Sequence, residues 1–285
     1  MIYQATHTTR YTYEGPVSHC LSEARLTPRL LPNQDLRDWN ILVSPKPSNL
    51  LSRKDYFGNA VTSFAVLEPH DCFTITATSL VEVRPNHYQL DFSPPWEEAR
   101  ELISAAPTDE LLNANEFIWE SPFVPRLAEL SDFVKPILRP NRPLLEAALD
   151  LMQAIHREFE YKPESTSIET PLSQVLESRK GVCQDFSHVM IGALRSQGLA
   201  ARYVSGYLRG DADLQGAQAS HAWVSVFMPN LGWIDFDPTN NLMPSSGHLT
   251  IAFGRDFGDV TPVKGITIGG GEHTLEVDVR VVPQN

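Results

Sequence analysis

The stretch from Arg179 to Gly198, RKGVCQDFSHVMIGALRSQG, decides how the rest of the chain is read. After Cys183 the apolar residues fall at Phe186, Val189, Met190, Ala193 and Leu194, the recurrence of a helix buried along one face. Gly198 supplies a stop, and Gly181 lets the backbone turn sharply beforehand, so Cys183 is expected in the first helical turn. Unpaired N–H groups and the positive end of the helix dipole favour an anion there. A free thiol has a pKa of about 8.5, and such settings lower it to roughly 3.5–7.5, giving the nucleophilic thiolate at neutral pH. A solitary cysteine in an apolar helix is more often packing than chemistry, so the reading depends on what else can reach it.

At 285 residues the chain can bury a core for two domains, or for one with an appended module. Hydrophobic residues at 42% and charged residues at 20% are ordinary for a folded globular protein. No stretch approaches the ~18 uninterrupted apolar residues of a membrane span, and the start, MIYQATHTTRYTYEG, has neither a basic nor an apolar leader region. A cytoplasmic location is the default expectation. With a formal net charge of -12 and no cluster of lysines and arginines, nucleic acid is not an expected partner. Cys20, Cys72 and Cys183 leave one unpaired under any pairing, and none lies in a CxxC or zinc spacing. Reduced thiols, no metal and no cofactor are expected, with Cys20 and Cys72 carrying no chemistry.

Residues 1–85 read as all-β. TITATSLVEV alternates, with Ile75, Ala77, Ser79, Val81 and Val83 on one side, and similar runs recur at Tyr3 to Tyr13, Cys20 to Leu26, Asn40 to Val43 and Ala60 to Leu67. Turn residues punctuate them, and short strands so spaced predict a small β-sandwich, acting as scaffold or recognition module. Residues 86–142 are a Pro-rich connecting region; from Pro85 to Pro143 the chain holds 9 of its 22 prolines, among short helices at Trp96 to Ala105 and Asp109 to Trp119. Trp119 and Phe123 there suit core packing better than a substrate groove.

Residues 143–285 make the second unit. Pro143 opens a helix to about residue 160, with His156 at the core edge. A shorter helix runs from Pro171 to Glu177. Beyond Gly198 the segments AARYVSGYL, HAWVSVFM and WIDFDPT read as strands, the last two joined by Pro229-Asn230-Leu231-Gly232. A closing hairpin is expected from Lys264 to Ile268 and Leu275 to Val282 across Gly269-Gly270-Gly271.

In HAWVSVFM, His221, Trp223, Ser225 and Phe227 share a face; in WIDFDPT, Trp233, Asp235 and Asp237 do. An even hairpin register sets His221 and Asp237 opposite or diagonal on one face, and a one-residue slip separates them. That supplies a nucleophile, base and orienter: Cys183 attacks an acyl carbon, His221 pairs with the thiolate and protonates the leaving amine, and Asp237 fixes the imidazole tautomer. The product is a thioester, released to water or to an amine. The Cys183 backbone N–H is a natural oxyanion donor, with Tyr161 or Gln184 as the second. Asp185 suits bonds to backbone amides at the helix start, and Trp223 a wall of the site. His188 lies too far round the helix to aim at the sulfur, and a metal set of Cys183, Asp185 and His188 matches no zinc pattern.

Gly181-Val182-Cys183-Gln184-Asp185, Ser220-His221-Ala222-Trp223, and Trp233 with Asp237-Pro238-Thr239, in that order, closely resemble the transglutaminase-like superfamily. Arg202 to Tyr207 is similar to its core. Tyr11-Thr12-Tyr13, Arg25-Leu26-Thr27-Pro28-Arg29 and Asp55-Tyr56-Phe57-Gly58-Asn59 resemble the β-domain that precedes this core in a bacterial subgroup. The resemblance implies an α+β fold with a papain-like core, Cys183 as nucleophile, His221 as base and acid, and Asp237 rather than Asp235 as orienter. Gln184 stands where animal transglutaminases carry tryptophan. The implied activity is cleavage or transfer of a peptide, isopeptide or glutamine amide, with a peptide or protein substrate and an amine as optional acceptor. The alternative is a catalytically silent papain-like binding module.

Overall fold

The computed structural model describes residues 1–86, 93–210 and 214–284; residues 87–92 of the connecting region lie outside it. Strand β1 (Ile2–Ala24) is the axis of the N-terminal half. It joins into one strand the two runs expected separately, and Tyr3, Ala5, His7 and Thr9 are its first buried residues. Strands β2 (Gln34–Ser44), β3 (Asn49–Lys54), β4 (Ala60–Val66) and β5 (His70–Val83) follow, and β5 keeps the alternation of its sequence, burying Ile75, Ala77, Ser79, Val81 and Val83.

These strands form one curled antiparallel sheet, not the two stacked sheets of a sandwich. Strands β5 and β4 lie end to end along one edge of β1, so that Ile2 faces Glu82, Tyr11 faces Phe73 and, past a break, Cys20 faces Val66. Strands β2 and β3 flank β5 and β4 in the same way. The ribbons are interrupted at one level, at Gly15-Pro16 in β1, at Pro69 between β4 and β5, and at Pro45 and Pro47 between β2 and β3. Prolines that cannot donate to the ladder bend all the ribbons together, so the sheet curls without dividing. Val17, Ile41, Phe64, Val66, Phe73 and Ile75 fill the curl, with the Phe64 and Phe73 rings 5.7 Å apart.

The second half begins with helices α1 (Trp96–Ala105), α2 (Asp109–Asn115) and α3 (Ala128–Val134), with a 3₁₀ turn at Glu116–Ile118. Helix α4 (Leu144–Glu158) matches the expected amphipathic segment, and Pro143 precedes its first turn. Then come β6 (Glu160–Tyr161), α5 (Leu172–Ser178), β7 (Lys180–Gly181) and α6 (Cys183–Arg195). Strands β8 (Ala201–Leu208), β9 (His221–Met228), β10 (Gly232–Phe236) and β11 (His248–Gly254) make an antiparallel sheet in the order β10-β9-β8-β11, followed by the short helix α7 (Phe257–Val260). Helix α6 is buried on nearly every side, between the sheet and helices α3, α4 and α5. No helix among the described residues is long and apolar enough to cross a membrane.

The closing hairpin does not form. Strands β12 (Val263–Gly269) and β13 (His273–Gln284) lie end to end along the free edge of β1, where Thr267 faces Cys20 and Val279 faces His7. Gly269, Gly270 and Gly271 all take positive φ, but they bend a continuing ribbon instead of reversing it. Gly15 N–H donates to the Gly270 carbonyl (2.9 Å), so the ribbon bends with β1. The unpaired edge of a strand as long as β1 satisfies both segments at once, which pairing between them would not.

Two buried carboxamides join the halves. Gln34 donates to the Thr250 carbonyl (2.7 Å) and accepts from the Thr250 N–H (2.8 Å), while Asn59 does the same to Phe253 (2.8 and 2.9 Å). Each side chain pairs with β11 as a neighbouring strand would. Around them Tyr3, Val81 and Val83 pack on Tyr207, Leu249 and Ile251.

Candidate active site

Cys183 is the first residue of α6 and its side chain is buried, 8% exposed. The approach to it is held by Asp185, whose Oδ2 accepts from the Val182 N–H (2.8 Å) and the Thr166 hydroxyl (2.7 Å). This is the expected role of Asp185 at the helix start. Burial pushes its carboxyl up, against the pull of those two bonds. Gly181 is glycine for a different reason from the sharp turn anticipated. A Cβ there would stand 2.5 Å from Asp185 Oδ2, so the carboxylate occupies the space a side chain would need.

The β9–β10 hairpin has the even register that the parity argument requires: Gly232 faces Met228 and Asp235 faces Ser225. Asp237, just past the end of β10, therefore lies diagonal to His221, and His221 Nε2 is 2.8 Å from Asp237 Oδ2. Asp237 is fully buried, and burial opposes its ionisation. The hydrogen-bonded imidazoles of His221 and His248 more than offset this and hold it well below the usual carboxylate range. Burial likewise opposes charge on His221, and the Asp237 carboxylate and Cys183 beside the ring outweigh it, raising its pKa well above that of a free imidazole.

An ionised carboxylate only accepts, so His221 must carry its proton on Nε2. With its pKa raised, the ring carries its second proton on Nδ1, the atom turned away from the carboxylate, for which no regular hydrogen bond is found among the described residues. Gly216 leaves room beside it, since a Cβ at that position would stand 2.7 Å from Nδ1.

Two residues at this carboxylate escaped the sequence reading. His248 Nε2 lies 3.2 Å from the same Asp237 oxygen, and the Asn240 carboxamide donates to it (2.9 Å). The other oxygen takes the Thr239 and Asn240 backbone N–H groups (3.0 and 3.1 Å). Asn240 also receives the Gln215 N–H (2.8 Å), tying the loop before β9 to the same cluster. Asn240 was legible as a short polar residue after Asp237-Pro238-Thr239, the composition of a turn that bonds its own backbone. His248 opens a buried, mostly apolar run, 249–253, that marks a strand.

Trp223 is fully buried with its ring 6.1 Å from His221 and edge-on to His248 at 5.2 Å, a wall beside both imidazoles. Asp235 stays below that wall, accepting from Trp223 Nε1 (3.3 Å), and does not meet His221. Tyr161 sits level with Gly181 in the β6–β7 pair, and burial, with Cys183 and Asp237 nearby, pushes its phenol up to about 12. Gln184 lines a separate cleft with Phe123, Leu172 and His188. His188 is buried with its Nε2 accepting from the Phe257 N–H (3.2 Å), and burial lowers it to about 3, so it is neutral and committed elsewhere. His156 bonds the Thr239 carbonyl (3.0 Å) at the core edge. Trp119 is exposed, whereas Phe123 stacks on His188 (5.9 Å).

Among the described residues, His221, Asp237 and His248 are the group whose donor atoms lie close enough for a metal. Those atoms are spent on one another as hydrogen bonds within a fully enclosed cluster, which fits a proton network better than a ligand set.

Residues 3–82 match the bacterial transglutaminase-like N-terminal region, and residues 131–238 match the transglutaminase-like superfamily. An uncharacterized protein of Mycobacterium tuberculosis is 36% identical over 298 residues, covering 99% of this chain and 92% of that protein.

The chain belongs to the transglutaminase-like superfamily.

A second mycobacterial relative, from Mycobacterium leprae, is 32% identical over 288 residues and also matches nearly end to end, with 98% of this chain and 97% of that protein covered. A protein-glutamine gamma-glutamyltransferase of Pseudomonas aeruginosa is 30% identical over 128 residues, 42% of this chain and 19% of that protein. The crystal structure of a candidate cysteine protease from Cytophaga hutchinsonii superposes with a TM-score of 0.75 at 19% identity, over 100% of this chain and 92% of that one. That likeness shows the fold; in this chain the cysteine-bearing helix α6 packs on the histidine-bearing strand β9.

Proposed function

We propose that the chain is a cysteine-dependent amide hydrolase or acyltransferase, with Cys183 as nucleophile, His221 as acid and base, and Asp237 as orienter. The observation that carries this reading is the His221–Asp237 bond at Nε2, which turns Nδ1 away from the carboxylate, with Cys183 near enough to the ring to raise its pKa. The Cys183 thiolate attacks the acyl carbon of an amide, the C–N bond breaks, and the leaving amine takes the proton from His221 Nδ1. A thioester remains. Water or a second amine then gives its proton to Nδ1 as it attacks, and the thiolate departs.

The Cys183 backbone N–H, in the first turn of α6, supports the oxyanion; losing one such donor typically costs about 2.7–4 kcal/mol. Tyr161 is favoured over the Gln184 side chain as the second donor, because its phenol feels both Cys183 and Asp237 while Gln184 turns into another cleft. The kinship with a protein-glutamine gamma-glutamyltransferase supports acyl transfer as the general class. A peptide or protein amide is the substrate this chemistry takes.

The test is incubation of the protein and Cys183→Ala with a casein substrate, with and without a labelled primary amine, followed by mass spectrometry. Cys183-dependent amine incorporation identifies a transglutaminase and Cys183-dependent new termini a peptidase. Products formed equally by Cys183→Ala would sink the reading.

A further inference from the structure

His221 is not alone on its carboxylate. His248, from β11, reaches the same Asp237 oxygen at 3.2 Å and is itself buried, its ring edge-on to Trp223. The carboxylate is ionised and can only accept, so the His248 proton must also sit on Nε2. Both imidazoles thus donate to one oxygen, alongside the Asn240 carboxamide, and each donor lowers the charge that the oxygen can offer the others.

We propose that His248 is a positioning residue that sets how tightly His221 holds its proton, by sharing Asp237 Oδ2 with it. The proposal rests on the assignment of His221 as acid and base. A base held too firmly by its orienter would keep its proton and release it poorly to a leaving amine. The shared oxygen weakens that hold while leaving the tautomer fixed. Asp237 does not depend on His248 for its place, because Thr239 and Asn240 bond its other oxygen.

Among the described residues, the titratable groups around the His221 ring are few. Cys183 comes from α6, Asp237 from the turn after β10, and His248 from β11, while β8 presents Gly206 opposite it. Asp235 lies beneath Trp223 and faces His248, and Tyr161 from β6 faces Cys183 and Asp237. Replacement of His248 therefore removes one competitor for Oδ2 and leaves the other partners of His221 in place. The sign is the same whether His248 acts as a neutral donor or as a cation: without it, His221 binds its proton more tightly.

The experiment is a pH titration of the full chain labelled with 15N-histidine, read by long-range 1H–15N spectra, with His221 assigned from a His221→Asn sample. In His248→Leu the His221 midpoint should rise by roughly half a pH unit or more, the scale of losing one charge-assisted competitor. In His248→Gln, whose amide can still donate near the Nε2 position, it should rise less than in His248→Leu. An unchanged or lowered midpoint in His248→Leu overturns the proposal, as does a His248→Gln midpoint that follows His248→Leu. Wild-type spectra supply a reading that needs no variant to fold: neutral His221 and His248 should both show the Nε2–H tautomer, and an Nδ1–H tautomer at His248 overturns the sharing. These results are independent of turnover, so an active Cys183→Ala enzyme would refute the catalytic assignment without touching the coupling.

Discussion

Asp237 meets His221 diagonally across a hairpin whose regular pairing has already ended at Phe236, with 2.8 Å between Oδ2 and Nε2. Because the carboxylate lies past the strand, its own turn saturates it through Thr239 and Asn240. Asp237→Asn should therefore keep the turn but lose the charge. Turnover is expected to fall by two orders of magnitude or more, and breaking a buried pair of this kind typically costs about 3–5 kcal/mol of stability. Steady-state kinetics and urea unfolding check the two effects separately; wild-type turnover would remove Asp237 from the mechanism.

The protonation of His221 sets a pH window. Its pKa is raised above the 6.5 of a free imidazole, so its contribution to stability is complete below that value and is lost as pH rises through the raised pKa. Asp237, lowered from 3.8, contributes above that value and loses its share as pH falls. The two share one bond and count once. Activity should be bell-shaped, with its alkaline limb well above that of a free histidine and belonging to the pair. Loss of the alkaline limb alone in His221→Ala, with activity otherwise intact, would show that His221 is not the acid and base.

Gly181→Ala would drive a methyl group to 2.5 Å from Asp185 Oδ2. Overpacking of this kind typically costs about 1–3 kcal/mol, and here it also lifts the carboxylate off Val182 and loosens the entry to Cys183. Gly232→Ala is the comparison: its φ of 77° is strained for alanine, but nothing lies within 4 Å. It should cost about 1–2 kcal/mol and spare activity. Equal activity losses in the two variants would mean that Asp185 does not hold the site.

Asn59→Ala should weaken the junction of the two halves. It strips partners from the Phe253 N–H and carbonyl, each worth about 1–3 kcal/mol when left buried and unpaired. Because Phe253 lies on β11 with His248, activity should fall along with the melting temperature. Thermal unfolding followed at once by circular dichroism and by turnover reads both; a stable but inactive variant would place the effect at the site instead of the junction.

Local pattern carried much of the molecule. The period of α6, the alternation of β5 and the parity of β9 against β10 follow from side-chain geometry within a few residues, and together they bring Cys183, His221 and Asp237 to neighbouring elements. Short strands β3 and β11 were harder to see. The first is exposed throughout and the second is buried throughout, so neither shows alternation.

What sequence determined by itself was the set of elements and the face on which each chemical group stands, since both depend on spacing along the chain. Tertiary structure alone decided which edges pair. Whether β4 and β5 stack as two sheets or run end to end along β1, and whether β12 and β13 pair with each other or with β1, depends on hydrogen-bond partners far apart in the chain. His248 belongs to the same class. Its meeting with Asp237 follows from β11 lying beyond β8, an order no local pattern encodes.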